Sequence, residues 1–539
     1  MRVVLVSIDA KYIHTNLAVR LLKANTTYPV DLLEFTIKDG VDTILEQIAS
    51  FQADVIGFSV YLWNREIVVD LIDKIKSTSS AKIILGGPEV SYDVEELFLK
   101  TKVDFVISGE GEIAFHHLLE ALDNSTPVQD IQNLSYKNNE GLHSNTVKPI
   151  PVLAKLQSGY QVVPINPHKI QYIESSRGCP YRCSYCLASL DKPVRYFDEE
   201  QLKENLLELI NSNAKVFKFL DRTFNAHINR SKRIFDFIIK HHRVGQSFQF
   251  EITGDVFPQS LIDYLHEVAP KHLFRFEIGI QSTNLETNQL VDRIQNNQKL
   301  FQMIECIQKH QIIDLHLDLI AGLPKETKPI FQKTFNDVFA LRPSELQLGF
   351  LKFLKGTKIR QEAHKYDYLF QENPPYEIIQ STDISIADLK EIHKVEEMLE
   401  IFWNKRYFPM TFEQLKELED PYSFFYKLYE FLSKPISKSL PMLAQSFESF
   451  LTSNPDYDLA SRYVKIDYLK HHPIKPKIWW EQAFSIHERK QIIRVFQSKN
   501  PIFLIDDLYK RAVLVPHKDT FNIAIFEPAG VVIFPLVLE

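Results

Sequence analysis

Short apolar runs alternate with amphipathic segments along the first 125 residues of the chain. The short runs predict strands, and the segments with apolar residues three or four positions apart predict helices. Strands that alternate with helices are typical of a parallel sheet covered by helices on both faces. The predicted strands are Val3–Ile8, Val30–Phe35, Val55–Val60, Lys82–Leu85 and Phe105–Ile107, and the predicted helices include Val41–Ile48, Glu66–Ile75 and Glu112–Leu122.

A second series of alternating strands and helices follows residues 126–168, a less regular stretch that predicts a hairpin and a linker. Six parallel strands with helices between them fit an open barrel, which is three quarters of a closed eight-stranded barrel. The predicted barrel strands are Ile170–Glu174, Val216–Leu220, Phe248–Ile252, Phe274–Ile280, Leu315–Ile320 and Leu346–Phe350.

The pattern changes again beyond about Gln361, where amphipathic helical periodicity dominates, as in Ile386–Phe402 and Phe412–Leu418. Tryptophan side chains in this region are expected to pack in its core or to cover a substrate; they are Trp403, Trp479 and Trp480. The chain closes with the strand-like runs Ala512–Pro516, Phe521–Phe526 and Val531–Leu538.

We therefore predict an α/β protein in four parts. A doubly wound, Rossmann-like domain spans residues 1–130, and a linker spans residues 131–168. A partial (β/α)6 barrel of the TIM type spans residues 169–360, and a mostly helical domain spans residues 361–539. In both α/β parts, ligands are expected beyond the C-terminal ends of the strands.

The composition is that of a folded protein, with 45% hydrophobic and 24% charged residues among 539. A formal net charge of −7 gives no general electrostatic reason to bind nucleic acid. The N-terminal apolar stretch is too short for a signal peptide, and no run of 18 apolar residues occurs. We expect a cytoplasmic enzyme with no membrane partner.

Small residues mark several predicted strand ends in the first domain. Ser59 lies near the end of the third strand, Gly86 and Gly87 follow the fourth, and Gly109 and Glu110 follow the fifth. Glycines permit positive φ or close approach of a ligand to the backbone. A Gly-Gly-Pro sequence can also be a simple turn, but several such ends on one edge of the sheet favour a bound cofactor.

Three of the four cysteines lie within eight residues, at Cys179, Cys183 and Cys186. This C-x3-C-x2-C spacing follows a predicted strand directly. Three thiolates can hold three irons of a [4Fe–4S] cluster and leave the fourth iron open to a ligand. Structural zinc takes four protein ligands, and no second pair of cysteines exists. Cys306 stands alone in an apolar helical pattern and is expected to be a buried, inert thiol.

The cysteine spacing, with Tyr185 before the last cysteine and an open barrel after it, resembles the radical S-adenosylmethionine (SAM) superfamily. The resemblance implies that Cys179, Cys183 and Cys186 are the cluster ligands, and that an electron from the cluster cleaves SAM to a 5′-deoxyadenosyl radical. It implies an electron donor such as flavodoxin or ferredoxin. The residues that it places around SAM are Tyr185, Asp221, Glu251, Glu277, Gln281, Ser282, Arg293, which would bind the methionine carboxylate, and Asp318.

A doubly wound domain before such a barrel resembles a cobalamin-binding domain. By this resemblance Ser59, Gly86 and Gly87 contact the nucleotide tail of the corrinoid, and Gly109 and Glu110 lie in expected turns. A larger side chain at Gly87 is expected to clash with that tail. The family's D-x-H-x-x-G motif is missing, because His14 follows Asp9 at the wrong spacing. Cobalt ligation by histidine at the usual place is therefore not expected, and loss of cobalamin binding stays open.

These features predict a cobalamin-dependent radical SAM enzyme that methylates an unactivated carbon of a small-molecule or other substrate. Cyclisation or rearrangement is an alternative outcome on the same architecture. A vestigial first domain, a non-enzymatic iron–sulfur scaffold and RNA modification are further alternatives. Residues 361–539 resemble the uncharacterised C-terminal region of one cobalamin-type radical subfamily.

Overall fold

The computed structural model describes residues 1–480, 485–517, 520–528 and 530–536. By its internal contacts the chain divides into two compact units. One unit comprises Met1–Phe331 with Leu348–Ile386, and the other comprises Gln332–Gln347 with Ala387–Glu539. The four-part division drawn from the sequence stays a prediction. Among the described residues, no helix combines the length and the apolar composition needed to cross a membrane.

The first sheet confirms the predicted doubly wound domain. Its strand order is 2-1-3-4-5, followed by a hairpin, and the first five strands are parallel. The first strand is buried at every position, which explains its continuous apolar run. The elements are β1 Val3–Asp9, α1 Leu17–Ala24, β2 Val30–Thr36, α2 Val41–Ser50, β3 Val55–Ser59, α3 Arg65–Thr78, β4 Lys82–Gly86, α4 Val94–Lys100, β5 Phe105–Ile107 and α5 Glu112–Asn124.

The predicted hairpin is present and consists of β6 Leu134–Asn138 and β7 Gly141–Ser144. It pairs antiparallel with β5 and so extends the first sheet to seven strands. The hydrophobic pattern did not indicate this pairing, because a hairpin's own alternation does not reveal which sheet edge it joins.

The second sheet confirms the predicted open barrel. Its six strands follow one another in chain order, and the four pairs from β8 to β14 are parallel. The elements are β8 Gln171–Ile173, β9 Ser176–Arg177, β10 Arg195–Tyr196, α6 Glu199–Asn211, β11 Val216–Phe219, α7 Ile228–His241, β12 Ser247–Glu251, α8 Gln259–Val268, β13 Phe274–Gln281, α9 Leu285–Leu290, α10 Asn297–Gln308, β14 Asp314–Ala321, α11 Lys328–Ala340, β15 Glu345–Phe350, α12 Lys358–Gln361, β16 Leu369–Phe370 and β17 Ile378–Gln380.

Alternation along the barrel strands separates a phenylalanine layer from a polar interior. Phe250, Phe274 and Phe276 are buried and surround Phe235 of α7. Because successive side chains of a strand point to opposite faces, Glu251 and Glu277 project away from the helices. The interior of this open barrel therefore carries charged groups instead of a filled apolar core.

The C-terminal unit is mostly helical, as predicted, and Trp403 and Trp480 are buried in it. The expected helix over Phe412–Leu418 is wrong: the helix begins at Pro409 and ends at Glu413, with proline at its favoured first position. Leu538 lies outside the described residues. The elements are α13 Ile386–Met398 with a π-helical continuation to Asn404, α14 Pro409–Glu413, α15 Pro421–Phe431, α16 Leu440–Thr452, α17 Asp458–Lys470, α18 Ile486–Lys499, α19 Ile505–Arg511, β18 Ala512–His517, β19 Thr520–Glu527 and β20 Gly530–Leu536.

Candidate active site

The three clustered cysteines lie on the loop between β9 and β10, which we call the cysteine loop (residues 178–191). Gly178 opens it with φ +89°, and a Cβ there would lie 2.6 Å from the Pro193 carbonyl oxygen. The Cys179 amide donates to the Asp191 carbonyl at 3.1 Å, and the Cys186 amide donates to the Cys183 carbonyl at 3.1 Å. These bonds hold the loop in one shape.

The cysteine side chains fit an iron–sulfur cluster. All three thiols are free; those of Cys179 and Cys183 are buried, and that of Cys186 is partly buried. Burial raises the pKa of the Cys186 thiol, the neighbouring thiols raise it further, and the Arg222 guanidinium opposes them. Among the described residues no three side chains converge on a single metal ion. A cubane does not require this, because each thiolate binds its own iron.

Asp221 anchors the entry to the cysteine loop. Its carboxylate is fully buried and accepts hydrogen bonds from the Ser175 amide at 2.9 Å and from the Ser175 and Ser176 hydroxyls at 2.6 Å. Burial raises the pKa of Asp221, and these hydrogen bonds oppose the rise. Both carboxylate oxygens are thus used by the protein, and the expected contact with SAM stays a prediction.

Arg293 lies beside the cysteine loop. Its guanidinium donates to the Tyr185 hydroxyl at 3.3 Å and lies 3.8 Å from the Cys183 sulfur. It also donates to the Gly279 carbonyl and, through Nε, to Gln295 at 3.0 Å. The structure therefore brings the predicted residues Arg293 and Tyr185 together at the cluster position. Carboxylate binding by Arg293 stays a prediction.

Gln281 and Ser282 lie at the end of β13 and differ in whether their side chains already have hydrogen-bond partners. The Gln281 Oε1 atom is buried and has no hydrogen-bond partner among the described residues. An unsatisfied buried oxygen is costly and is typical of a site completed by a ligand. Ser282 is fully buried, and its hydroxyl donates to the Glu326 carboxylate. The Ser282 hydroxyl thus stabilises the turn after β13, whereas the Gln281 side-chain oxygen is able to accept a hydrogen bond from a ligand.

The other predicted SAM residues lie together inside the barrel. Lys218 donates to Glu277 at 2.8 Å; burial would raise the pKa of Glu277, but the ammonium lowers it below its ordinary value. Asp318 lies 3.0 Å from His316. Burial raises the pKa of Glu251 to about 7, although Arg222 opposes this. Burial in the barrel interior therefore favours the protonated form of the Glu251 carboxyl.

Sequence reasoning missed Arg222, which is close enough to influence the pKa values of both Cys186 and Glu251. Arg222 could have been identified from its position directly after Asp221, at the end of a barrel strand. It also missed Arg177 and Arg195, which flank the cysteine loop. Neither arginine belongs to the cysteine spacing that drew attention to this segment.

These two arginines tie the cysteine loop to the first domain. Arg195 pairs with Glu110 at 2.9 Å, and Arg177 pairs with Glu112 at 2.6 Å and with Glu110 at 3.4 Å. Glu110, predicted to face a cofactor, is thus held by protein cations. The other residue of this predicted turn, Gly109, has φ +74° and donates its amide to Ser91.

The remaining strand-end residues of the first domain pack closely. The Ser59 hydroxyl accepts a hydrogen bond from the side-chain amide of Asn16 at 3.0 Å. A Cβ on Gly86 would make only ordinary contact, but a Cβ on Gly87, at φ +111°, would lie 2.5 Å from the Val60 carbonyl oxygen. The expected clash between a larger side chain at Gly87 and the corrinoid tail needs correction. Such a side chain would collide with the Val60 backbone before it met a ligand.

Comparison with known protein families agrees with this geometry. The B12 binding domain model matches residues 3–119, and the Radical SAM superfamily model matches residues 173–338, which include the cysteine loop. The chain contains a B12-binding domain and a radical SAM domain. A third model, a protein family of unknown function called DUF4080, matches residues 364–527.

Relatives of this radical SAM protein include an uncharacterised methyltransferase of Pyrococcus horikoshii, 23% identical over 61% of this chain and 73% of its own length. The cobalamin-dependent radical SAM methyltransferase TokK of Streptomyces tokunonensis is 23% identical over 52% of this chain. The chain spans only 44% of the length of TokK.

Solved structures share the fold of this radical SAM protein. The cobalamin-dependent SAM radical enzyme OxsB with aqua-cobalamin aligns with a TM-score of 0.60 and 15% identity, over 87% of this chain and 78% of its own. TsrM of Kitasatospora setae, with cobalamin and a [4Fe–4S] cluster, aligns with a TM-score of 0.57 and 15% identity, over 67% of this chain and 75% of its own. The two matched models are those of a B12 binding domain and a radical SAM domain, and the aligned TsrM structure contains cobalamin and a [4Fe–4S] cluster.

Proposed function

We propose that this protein is a cobalamin-dependent radical SAM enzyme that transfers a methyl group to an unactivated carbon of a small-molecule substrate. The observation that carries the proposal is the junction of the two cofactor domains. The arginines that flank the cysteine loop are paired with Glu110 and Glu112 of the B12-binding domain. The relatives that are named methyltransferases support methylation as the outcome.

The cysteine loop would hold the cluster through Cys179, Cys183 and Cys186. When bound, the cluster and SAM supply a hydrogen-abstracting organic radical, and cobalamin supplies the methyl group. Asp221 and Gly178 fix the loop before any ligand arrives, which lowers the cost of binding. Gln281 offers a buried acceptor to the bound ligand. The protein thus orients groups whose chemistry belongs to the cofactors.

The barrel interior would receive the substrate. Lys218 pairs with Glu277 at 2.8 Å, and Arg275 lies 2.9 Å from the Nδ1 atom of His316, so each of these side chains is held by a partner. Paired charges of this kind position a polar substrate without moving during the reaction. The phenylalanine layer behind them keeps water from entering between strands and helices.

The test is anaerobic reconstitution with iron, sulfide and cobalamin, followed by reduction and assay of both SAM products. Dithionite, or a flavodoxin or ferredoxin, would serve as electron donor. Methylation predicts 5′-deoxyadenosine and S-adenosylhomocysteine together. Deoxyadenosine without S-adenosylhomocysteine would replace methylation by cyclisation or rearrangement. Failure to retain cobalamin would contradict the cobalamin-dependent proposal.

A further inference from the structure

One stretch of the C-terminal unit carries an excess of positive charge. Residues 461–500 contain nine lysines and arginines and three acidic residues, although the whole chain has a formal net charge of −7. On α18, the side chains of His487, Lys490 and Arg494 are exposed. Within the part of the chain that the structure describes, neither Lys490 nor Arg494 is paired with a carboxylate. This stretch therefore presents uncompensated positive charge to its surroundings.

The same stretch exposes aliphatic side chains. Among the described residues, seven aliphatic side chains are more than 70% exposed, and four of them lie within residues 474–504. Ile486 is the first residue of α18, and Ile502 and Leu504 follow the end of this helix. Ile474 lies in the loop that precedes it. Single exposed aliphatic residues are common on protein surfaces, but their concentration beside unpaired cations marks an interaction surface.

Two cations hold the loop of residues 471–478 beside the start of α18. The Lys475 ammonium donates to the Ala512 carbonyl at 3.2 Å, and the Arg489 guanidinium donates to the same oxygen at 3.0 Å. Burial lowers the pKa of Lys475, and the charge of Arg489 lowers it further. The Arg489 Nε atom is buried and has no hydrogen-bond partner among the described residues. Two like charges that share one carbonyl oxygen are stabilised when an anion approaches them.

We infer that α18 and the loop of residues 471–478 form a cationic face that binds the surface of an anionic lipid membrane. The lysines and arginines of this face attract the phosphate groups of acidic lipids, and each cation near such a surface adds to the affinity. The exposed isoleucines enter the boundary between headgroups and acyl chains, where burial of their apolar surface strengthens binding.

The aliphatic residues favour a membrane over a nucleic acid as the partner. RNA offers the same phosphate charge, but it has no apolar layer that would bury Ile474 or Ile486. Binding at the membrane surface needs no spanning helix, and a spanning helix is all that the sequence-based expectation of no membrane partner considered.

The test is sedimentation of the full-length protein with vesicles of phosphatidylcholine alone or of an equal mixture with phosphatidylglycerol. The parent should bind the mixed vesicles only, and binding should weaken as the ionic strength rises, because salt screens surface charges. Lys490→Gln combined with Arg494→Gln should weaken binding to the mixed vesicles about 30-fold. Ile474→Ser combined with Ile486→Ser should weaken it about tenfold.

Matched controls change equally exposed residues elsewhere in the chain. Lys38→Gln with Lys271→Gln, and Leu99→Ser with Val244→Ser, should bind the mixed vesicles like the parent. Thermal unfolding serves as the folding control for every variant.

The comparison of the two kinds of vesicle tests the inference on the parent protein alone. No binding to the mixed vesicles, or equal binding to both kinds, would overturn it. Unchanged binding of both double variants of the cationic face would overturn it as well. A parent protein that retains single-stranded RNA and binds neither kind of vesicle would replace the membrane by a nucleic acid as the partner.

Discussion

At the scale of single residues, burial decides which groups can serve a ligand and which serve the protein. Asp221 and Glu110 are acidic residues at strand ends, as expected of a site, yet serines and arginines occupy their oxygens. Gln281 keeps a buried oxygen without a partner among the described residues. Residue type and position alone do not distinguish these cases, because the distinction depends on neighbours distant in sequence.

The cysteine ligands give the first prediction. Replacing Cys179, Cys183 or Cys186 with alanine should remove the cluster and abolish deoxyadenosine formation, because three thiolates are the minimum set for a cluster with one open iron. Cys306→Ala is the matched control, since this partly buried thiol lies on α10 and is expected to be inert. Iron content and product assay check both. A Cys179→Ala protein with a full cluster and full SAM cleavage would refute this ligand set.

Glu251 gives a pH prediction. Its pKa of about 7 lies above the ordinary 4.5, so between these values the folded protein holds a proton that the unfolded chain has lost. Stability contributed by this group is therefore complete below about pH 4.5 and is lost as the pH rises through 7. Glu251→Gln should be more stable than the parent by about 1–3 kcal/mol at pH 8 and should lose this advantage by pH 5.

Thermal unfolding of the cofactor-free protein at the two pH values measures this difference. Glu345→Gln, a second acidic residue on a barrel strand, controls for a general loss of negative charge. An advantage of Glu251→Gln that does not change with pH would show that the carboxyl is ionised equally in the folded and unfolded states.

At the scale of elements, the cysteine loop depends on one backbone conformation. Gly178→Ala places a methyl group 2.6 Å from the Pro193 carbonyl oxygen at a positive φ. We expect a loss of stability of about 2–4 kcal/mol and a lower cluster content. Gly141→Ala is the control, because Gly141 also has positive φ but no atom within 4 Å of its added Cβ. Equal losses in the two variants would show that strain, and not the collision, sets the cost.

At the scale of the whole molecule, ion pairs join the B12-binding domain to the cysteine loop. Glu110→Gln removes one of the two carboxylate partners of Arg195, whose side chain is only 8% exposed and still pairs with Asp191 at 2.7 Å. Losing the Glu110 pair should cost about 1–3 kcal/mol. Glu430→Gln, which breaks the more exposed pair with Lys394, should cost less than about 1 kcal/mol. Chemical unfolding of both variants measures the contrast, and similar costs would contradict a specific role for the Arg195 pair.

The order of the elements and the chemistry of the cysteine loop could be predicted from the amino-acid sequence alone. Both are local properties, because they can be read from short segments of the sequence. A strand or helix is recognised by the spacing of its apolar residues, and the cysteine loop is recognised by its C-x3-C-x2-C spacing. The predicted strands therefore agree with the structure within one or two residues, and the family assignment follows from the same loop.

The contacts that each side chain makes became known only from the folded structure. It showed that the Val60 backbone fills the space beside Gly87, that Glu110 pairs with Arg195, and that the ring of Trp63 stacks on that of Tyr61. The hairpin's place in the first sheet is another such outcome. Each depends on which strands and loops become neighbours in space, and a side chain's burial, charge and access to a ligand are set by those neighbours.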